Sequence, residues 1–187
     1  PLKIRSVGAY TFKNTSLYGL IAIPEMVEYI GENAFENTFI SEVYFRGASI
    51  KEIKTGAFRE CKSLEKINLP NSIEELEIPI GEYNIKYSGS CFYNCQKLRY
   101  LRIPKKIKKL WGTFEGCSSL VSVDLPEELE ELSGPMFHNC HNLTKLVIPK
   151  GVNKLPAEIF YDNRELKEIT LMNPEIMLQP INGQAPI

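Results

Sequence analysis

The sequence has 187 residues, 43% hydrophobic and 24% charged, which is enough for one globular domain with a core of its own. Its formal net charge of -1 supplies no general attraction to nucleic acid or anionic lipid. No run of about 18 apolar residues is present, so neither nucleic-acid binding nor membrane insertion is expected.

The opening stretch, PLKIRSVGAY, lacks the basic-then-apolar layout of a signal peptide. Because it starts at proline it reads as a trimmed or mature piece, and it leaves the compartment open.

In chain order, a pattern first appears at Phe12, followed by Thr15 at plus three, Tyr18 at plus six, Ile21 at plus nine, Ile23 at plus eleven and Pro24 at plus twelve. Phe35 and Thr38 begin a second copy, which Ile40, Val43 and Phe45 continue one residue short. The third copy is the clearest: Phe58, Cys61, Leu64, Ile67, Leu69, Pro70.

After it come about eleven extra residues, EIPIGEYNIKY at 77–87, which read equally as a binding loop or a worn half-repeat. The register then returns as Phe92, Cys95, Leu98, Leu101, Ile103, Pro104, again as Phe114, Cys117, Leu120, Val123, Leu125, Pro126, and again as Phe137, Cys140, Leu143, Leu146, Ile148, Pro149. Phe160, Asn163, Leu166, Ile169 and Leu171 close the series without the proline.

Two further apolar slots lie eight and five residues before each phenylalanine. They hold Ile4 and Val7, Val27 and Ile30, Ile50 and Ile53, Leu129 and Leu132, and Val152 and Leu155, with Ile107 and Leu110 shifted by one. A unit of this size cannot offset its own conformational entropy, so it must bury its apolar edges against its neighbours.

The LxxIxLP segment alternates apolar and polar residues as a short strand does, and units of one hand stack such strands into a parallel sheet. The GAFxxC segment sets alanine, phenylalanine and cysteine on one face of a short helical turn. The expected fold is an α/β leucine-rich repeat solenoid, with a parallel β-sheet on the concave face and short helical turns on the convex side. One domain over 1–187 is expected, with about seven repeats at 2–173, the insertion near 77–87, and a non-repeat tail at 173–187 serving as a partial cap or loose end.

The readable consensus, LxxIxLPxxIxxIGxxAFxxCxxL, resembles the BspA-like leucine-rich repeats of bacterial and some protist surface proteins. The first, second and seventh copies depart from it at the cysteine slot. The resemblance implies a non-enzymatic, adhesin-like interaction module, extracellular or on a cell surface, whose ligand is a host or partner-cell protein. The alternative is an intracellular scaffold in the cytoplasm, encouraged by five cysteines without a disulfide framework. A carbohydrate-binding module or an enzyme ranks below both.

Cys61, Cys95, Cys117 and Cys140 share one slot, completed by Thr15, Thr38 and Asn163, while Cys91 takes the slot of Ala34 and Ala57. A column spreads sulfurs at about 4.8 Å per step, whereas a metal needs ligands converging on one point. The thiols therefore read as free and buried, with no metal and no cofactor expected. His138 and His141 read as solvated surface residues, and no Ser, His and Asp are brought together, so no catalytic residue is named.

PNSIEEL at 70–76, PKKIKKL at 104–110 and PEELEEL at 126–132 occupy matching slots. A cross-repeat ion-pair ladder is expected there, with Lys108 and Lys109 between Glu74 and Glu75 on one side and Glu130 and Glu131 on the other. The polar strand slots, eight and ten residues after each phenylalanine, face outward. Because tyrosine and arginine favour binding hot spots, the candidate ligand residues are Tyr44, Lys66, Asn68, Tyr100, Arg102 and Asp124, with Trp111 a lesser candidate on the turn side.

Overall fold

The structure, a computed structural model, describes residues 4–47, 49–76 and 90–178. The chain coils about seven times, each coil having two strand faces and one turn face. Strands are numbered in chain order and alternate between the strand faces, and every pairing is parallel.

The column that is longer on the whole holds β2 (Tyr18–Ile23), β4 (Phe39–Phe45), β6 (Lys66–Ile67), β8 (Tyr100–Arg102), β10 (Ser122–Asp124), β12 (Lys145–Ile148) and β14 (Glu168–Leu171). The shorter column holds β1 (Ser6–Val7), β3 (Tyr29–Ile30), β5 (Glu52–Ile53), β7 (Glu75–Leu76), β9 (Lys109–Trp111), β11 (Glu131–Ser133), β13 (Lys154–Leu155) and β15 (Met177–Leu178). The proposed insertion at 77–87 lies outside the described residues, but the coil that follows still packs on the one before, with the Phe92 ring 5.8 Å from Phe58. In the tail, β15 pairs with β13, and Asn173 Nδ2 donates to the Val152 carbonyl at 3.1 Å.

No helix forms among the described residues, so the expected helical turns are corrected to a different backbone. The residue two after each phenylalanine is left-handed: Asn14, Asn37, Glu60, Asn94, Gly116, Asn139 and Asp162 have φ between 54° and 77°. Tyr10, Asn33, Gly56, Gly112 and Glu158, two before their phenylalanines, are left-handed as well. Alternating left- and right-handed residues cannot close successive helical turns.

Instead, alternate N–H groups leave the coil. Phe12 donates to the Ala34 carbonyl at 2.8 Å and Asn14 to Glu36 at 2.9 Å, and Phe35 and Asn37 repeat this to Ala57 and Arg59 one coil later, both at 2.9 Å. The intervening N–H groups close tight turns inside the coil, as Lys13 to Tyr10 at 3.1 Å. A helix would spend all these donors internally and leave the coils joined on the turn face by side chains alone.

The phenylalanines form one continuous stack, with successive centroids 5.2 to 6.3 Å apart and interplanar angles from 2° to 17°. Such offset stacking adds to the area each ring buries. Around it the middle copies bury their leucine and isoleucine slots, Leu69 and Leu125 only in part, whereas the outermost coils cover theirs less: Ile4 is 61% exposed and Leu171 42%.

All five thiols are free and buried. They do more than fill space. Cys61, Cys95, Cys117 and Cys140 each donate from Sγ to the phenylalanine carbonyl of the preceding coil at 3.1 to 3.2 Å, and Asn163 Nδ2 makes the equivalent bond to Phe137 at 2.7 Å. Burial pushes the Cys61 thiol up to about 11, and the Cys95 and Cys140 thiols up as well. They stay protonated, which is the state a donor needs.

The charged slots pair across coils, though not in the order expected. Lys108 and Lys109 reach only Glu130 (2.7 Å) and Glu131 (3.1 Å), while Glu74 is taken by Lys106 at 2.7 Å. On the earlier coils Glu28 accepts from Arg5 and Lys51 at 2.6 and 2.8 Å. Glu75 breaks the alternation, because it lies in register with Glu52. Its hydrogen bond to that carboxyl, followed by burial and repulsion, pushes its own carboxyl up.

Two outcomes follow for stability. Cys140→Ala leaves the Phe114 carbonyl without its thiol donor and is expected to cost about 1–3 kcal/mol in thermal or denaturant melts, with Cys140→Ser costing less because its hydroxyl sits where the thiol donates. Equal losses for the two would reduce the slot to packing.

A carboxyl raised in the fold favours folding while protonated; that contribution is complete below the unfolded carboxylate range and is lost as pH rises through the folded value. Glu75→Gln should therefore raise Tm at about pH 7 and leave it unchanged near about pH 3.5. A shift of the same size at both pH values would remove the like-charge account.

Candidate ligand-binding face

On the longer strand face every second side chain points outward, and parallel register aligns these side chains across coils. Ala22 is opposite Tyr44, Leu20 opposite Glu42, Glu42 opposite Lys66, Tyr100 opposite Ser122 and Arg102 opposite Asp124. All six sequence-nominated residues lie exposed on this face.

The structure draws three of them together. Tyr100 Oη and Arg102 Nε both donate to Asp124 Oδ2, the latter at 3.3 Å. The bond to Asp124 pushes the Tyr100 hydroxyl up, and Arg102 is raised for the same reason, so the phenol stays neutral and the guanidinium charged. The cluster therefore presents one held phenol, one cation and the remaining oxygen of a carboxylate.

Lys66 is separate from this cluster, paired with Glu42 at 3.3 Å. Tyr44 and Asn68 make no side-chain hydrogen bond among the described residues, and Tyr44 stands 57% exposed. Trp111 lies on the shorter strand face, half-buried, its ring 3.0 Å from where a Cβ on Gly134 would sit. A residue with a side chain at Gly134 would have to displace the ring and adopt a left-handed backbone, φ 67°.

The repeat template misplaced one aromatic. Tyr18 was assigned to an inward slot, yet it is 80% exposed and Leu17 packs on the core in its place. The cause is local: β2 alternates without a break from Tyr18 to Ile23, so the slot six after Phe12 faces outward, and the ladder to β4 passes over Ser41 between Ile40 and Glu42. Phe39 stands opposite Tyr18 and is 60% exposed. Tyr18, Leu20, Phe39 and Tyr44 thus form an apolar half of the face that sequence reasoning found only in part; the glycine inside a strand was the available signal.

The histidines are less solvated than expected. His141 Nε2 lies 3.0 Å from Asp162 Oδ2, and the His138 ring tilts toward Tyr161 at 5.6 Å. Among the described residues no group of three His, Cys, Asp or Glu side chains converges as a metal site would.

Among solved structures, the chain is similar to a leucine rich cell surface protein from Faecalibacterium prausnitzii A2-165, with 25% identity, a TM-score of 0.78, and coverage of 91% of this chain and 44% of that one. It is also similar in fold to the T. pallidum leucine rich repeat protein, at 20% identity and TM-score 0.55, covering 92% of this chain and 65% of the other. The chain thus spans less than two thirds of either protein. No curated protein sequence matches it.

The family model for BspA type leucine rich repeat regions matches residues 1–78 and 84–184 in six copies. With that match, the phenylalanine register and the coiled parallel strands in agreement, the chain belongs to the BspA-type leucine-rich repeat family.

Proposed function

We propose that this chain is a non-enzymatic interaction module, a single domain over 1–187, that holds a partner protein against its longer strand face at a cell surface or outside the cell. That face is the concave one in solenoids of this kind. The observation that carries the reading is that exposed aromatic and apolar groups, Tyr18, Leu20, Phe39 and Tyr44, share one strand face with the ordered Tyr100, Arg102 and Asp124 cluster, the coil of Lys66 and Asn68 lying between them. Exposed apolar area beside prearranged polar groups is the composition of a protein-binding patch, and tyrosine and arginine are its usual anchors.

A role without catalysis is supported by the thiols, the strongest nucleophiles in the chain, being buried and protonated. Surface placement is supported by family membership and by the cell-surface description of the Faecalibacterium protein. No helix among the described residues is long and apolar enough to cross a membrane. The free thiols favour the alternative, an intracellular scaffold using the same face.

The test is a panel of purified extracellular-matrix and cell-surface proteins read by biolayer interferometry. Tyr100→Ala with Arg102→Ala is expected to weaken a retained partner about 10- to 30-fold while Tm stays within about two degrees of the parent. Unchanged affinity in the double variant would move the site off this face.

A further inference from the structure

The turn face has its own ladder of side chains. Two residues after each phenylalanine stand Asn14, Asn37, Glu60, Asn94, Gly116, Asn139 and Asp162, and neighbours in this column bond to one another: Asn37 Nδ2 to Asn14 at 3.0 Å and Asn94 Nδ2 to Glu60 at 2.8 Å. At Gly116 the ladder is interrupted. The same coil carries only Ser118 two positions on, whereas the coils on either side carry Asn94 with Gln96 and Asn139 with His141. One coil is thus lower than its neighbours by a side chain, and an open cavity of about 420 Å³ results.

The walls differ in what they have left to offer. Asn94 and Gln96 bond to each other at 3.0 Å, and His141 is held by Asp162. Glu115, Ser118 and Asn139 line the same cavity and make no side-chain hydrogen bond among the described residues. They supply a carboxylate acceptor, a hydroxyl and an amide that both donates and accepts. Burial pushes the half-covered Glu115 carboxyl up, against the pull of His138 and Arg59. Tyr93 closes one side, its ring fixed by the Arg59 guanidinium 4.0 Å from the centroid.

This set selects a chemistry. Among the described residues no lysine or arginine lines the cavity, and the Arg59 guanidinium lies over Tyr93 and acts on Glu115, so an anionic ligand meets a carboxylate before it meets a cation. One unpaired carboxylate is far short of the six to eight oxygens a calcium ion takes. A group with several hydroxyls, each donating and accepting, matches a carboxylate, a hydroxyl and an amide beside a rigid tyrosine, and the volume is within the range of small-ligand sites.

We propose that this niche over Gly116 binds a neutral sugar unit, on a face other than the one assigned to the protein partner. A solenoid with both sites holds a protein on its strand side and a glycan on its turn side.

The experiment uses the whole chain on a printed array of neutral and sialylated oligosaccharides, with saturation-transfer NMR on any neutral binder. Gly116→Asn supplies the residue that Asn94 and Asn139 already carry at φ 56° and 59°, so the left-handed backbone is kept while the niche is filled. A Cβ there meets Asn94 Oδ1 at 3.2 Å and Asn94 Cα at 3.3 Å, so Asn94 must give by a few tenths of an ångström, and Glu115→Gln, which adds no heavy atom, is the control for that shift.

Neutral-glycan signal is expected to fall about tenfold or more in Gly116→Asn and about fivefold in Glu115→Gln, with melting unchanged in Glu115→Gln, because half-covered polar groups lose their partners. The Tyr100→Ala/Arg102→Ala variant should bind glycan as the parent does. Absence of any neutral binder, equal signal in parent and Gly116→Asn, preference for sialylated glycans, or loss in the strand-face variant would each overturn the proposal.

Discussion

The structure depends on a single backbone device, the left-handed residue two places after each phenylalanine. It turns alternate N–H groups out of the coil and onto the carbonyls of the next. Both strand faces are joined by parallel ladders, and this device gives the third face an equivalent joint. The phenylalanine between these donors is carried at the same pitch in every coil, which explains rings that stack with nearly parallel planes. The thiols then close the carbonyl that the turn leaves accessible. Turn geometry, ring stack and cysteine column are consequences of one spacing.

Most of the coil was legible in the sequence, because hydrophobic slots repeated in register are a direct record of burial. Phe58, Cys61, Leu64 and Ile67 are all buried, as their spacing requires. The turn was misread because Ala, Phe and Cys at i, i+1 and i+4 also fit a helix. The deciding signal was the slot between them, filled by Asn, Asp or Gly in six coils of seven, the residues that tolerate a left-handed backbone. Thr and Asn replacing Cys was a similar clue: all three donate hydrogen bonds, and a slot for packing alone would have admitted alanine or valine.

The strand face was legible in its outward residues and less so in their grouping. Period-two alternation identifies Tyr100, Arg102 and Asp124 as exposed, but their meeting at one carboxylate oxygen depends on cross-coil register, which no single repeat encodes. Tyr18 was hidden because β2 is already strand at that point, and with period two a slot three residues before the inward Ile21 must face outward. The Gly116 niche was out of reach until the turn geometry was known, since it is defined by what neighbouring coils carry at a slot that a helix would have placed elsewhere.

The one-way donation by the backbone N–H groups of the turn face also gives the stack a sense. Phe12 gives to Ala34, Phe35 gives to Ala57, and Phe137 gives to Ile159, always toward the later coil. An inverted unit would set hydrogen against hydrogen at alternate positions along the turn, as at Tyr10, Phe12 and Asn14. Lengthening or shuffling such an array is therefore possible only by head-to-tail copying, and a chimera made from two family members would have to be cut at equivalent points and rejoined in the same orientation.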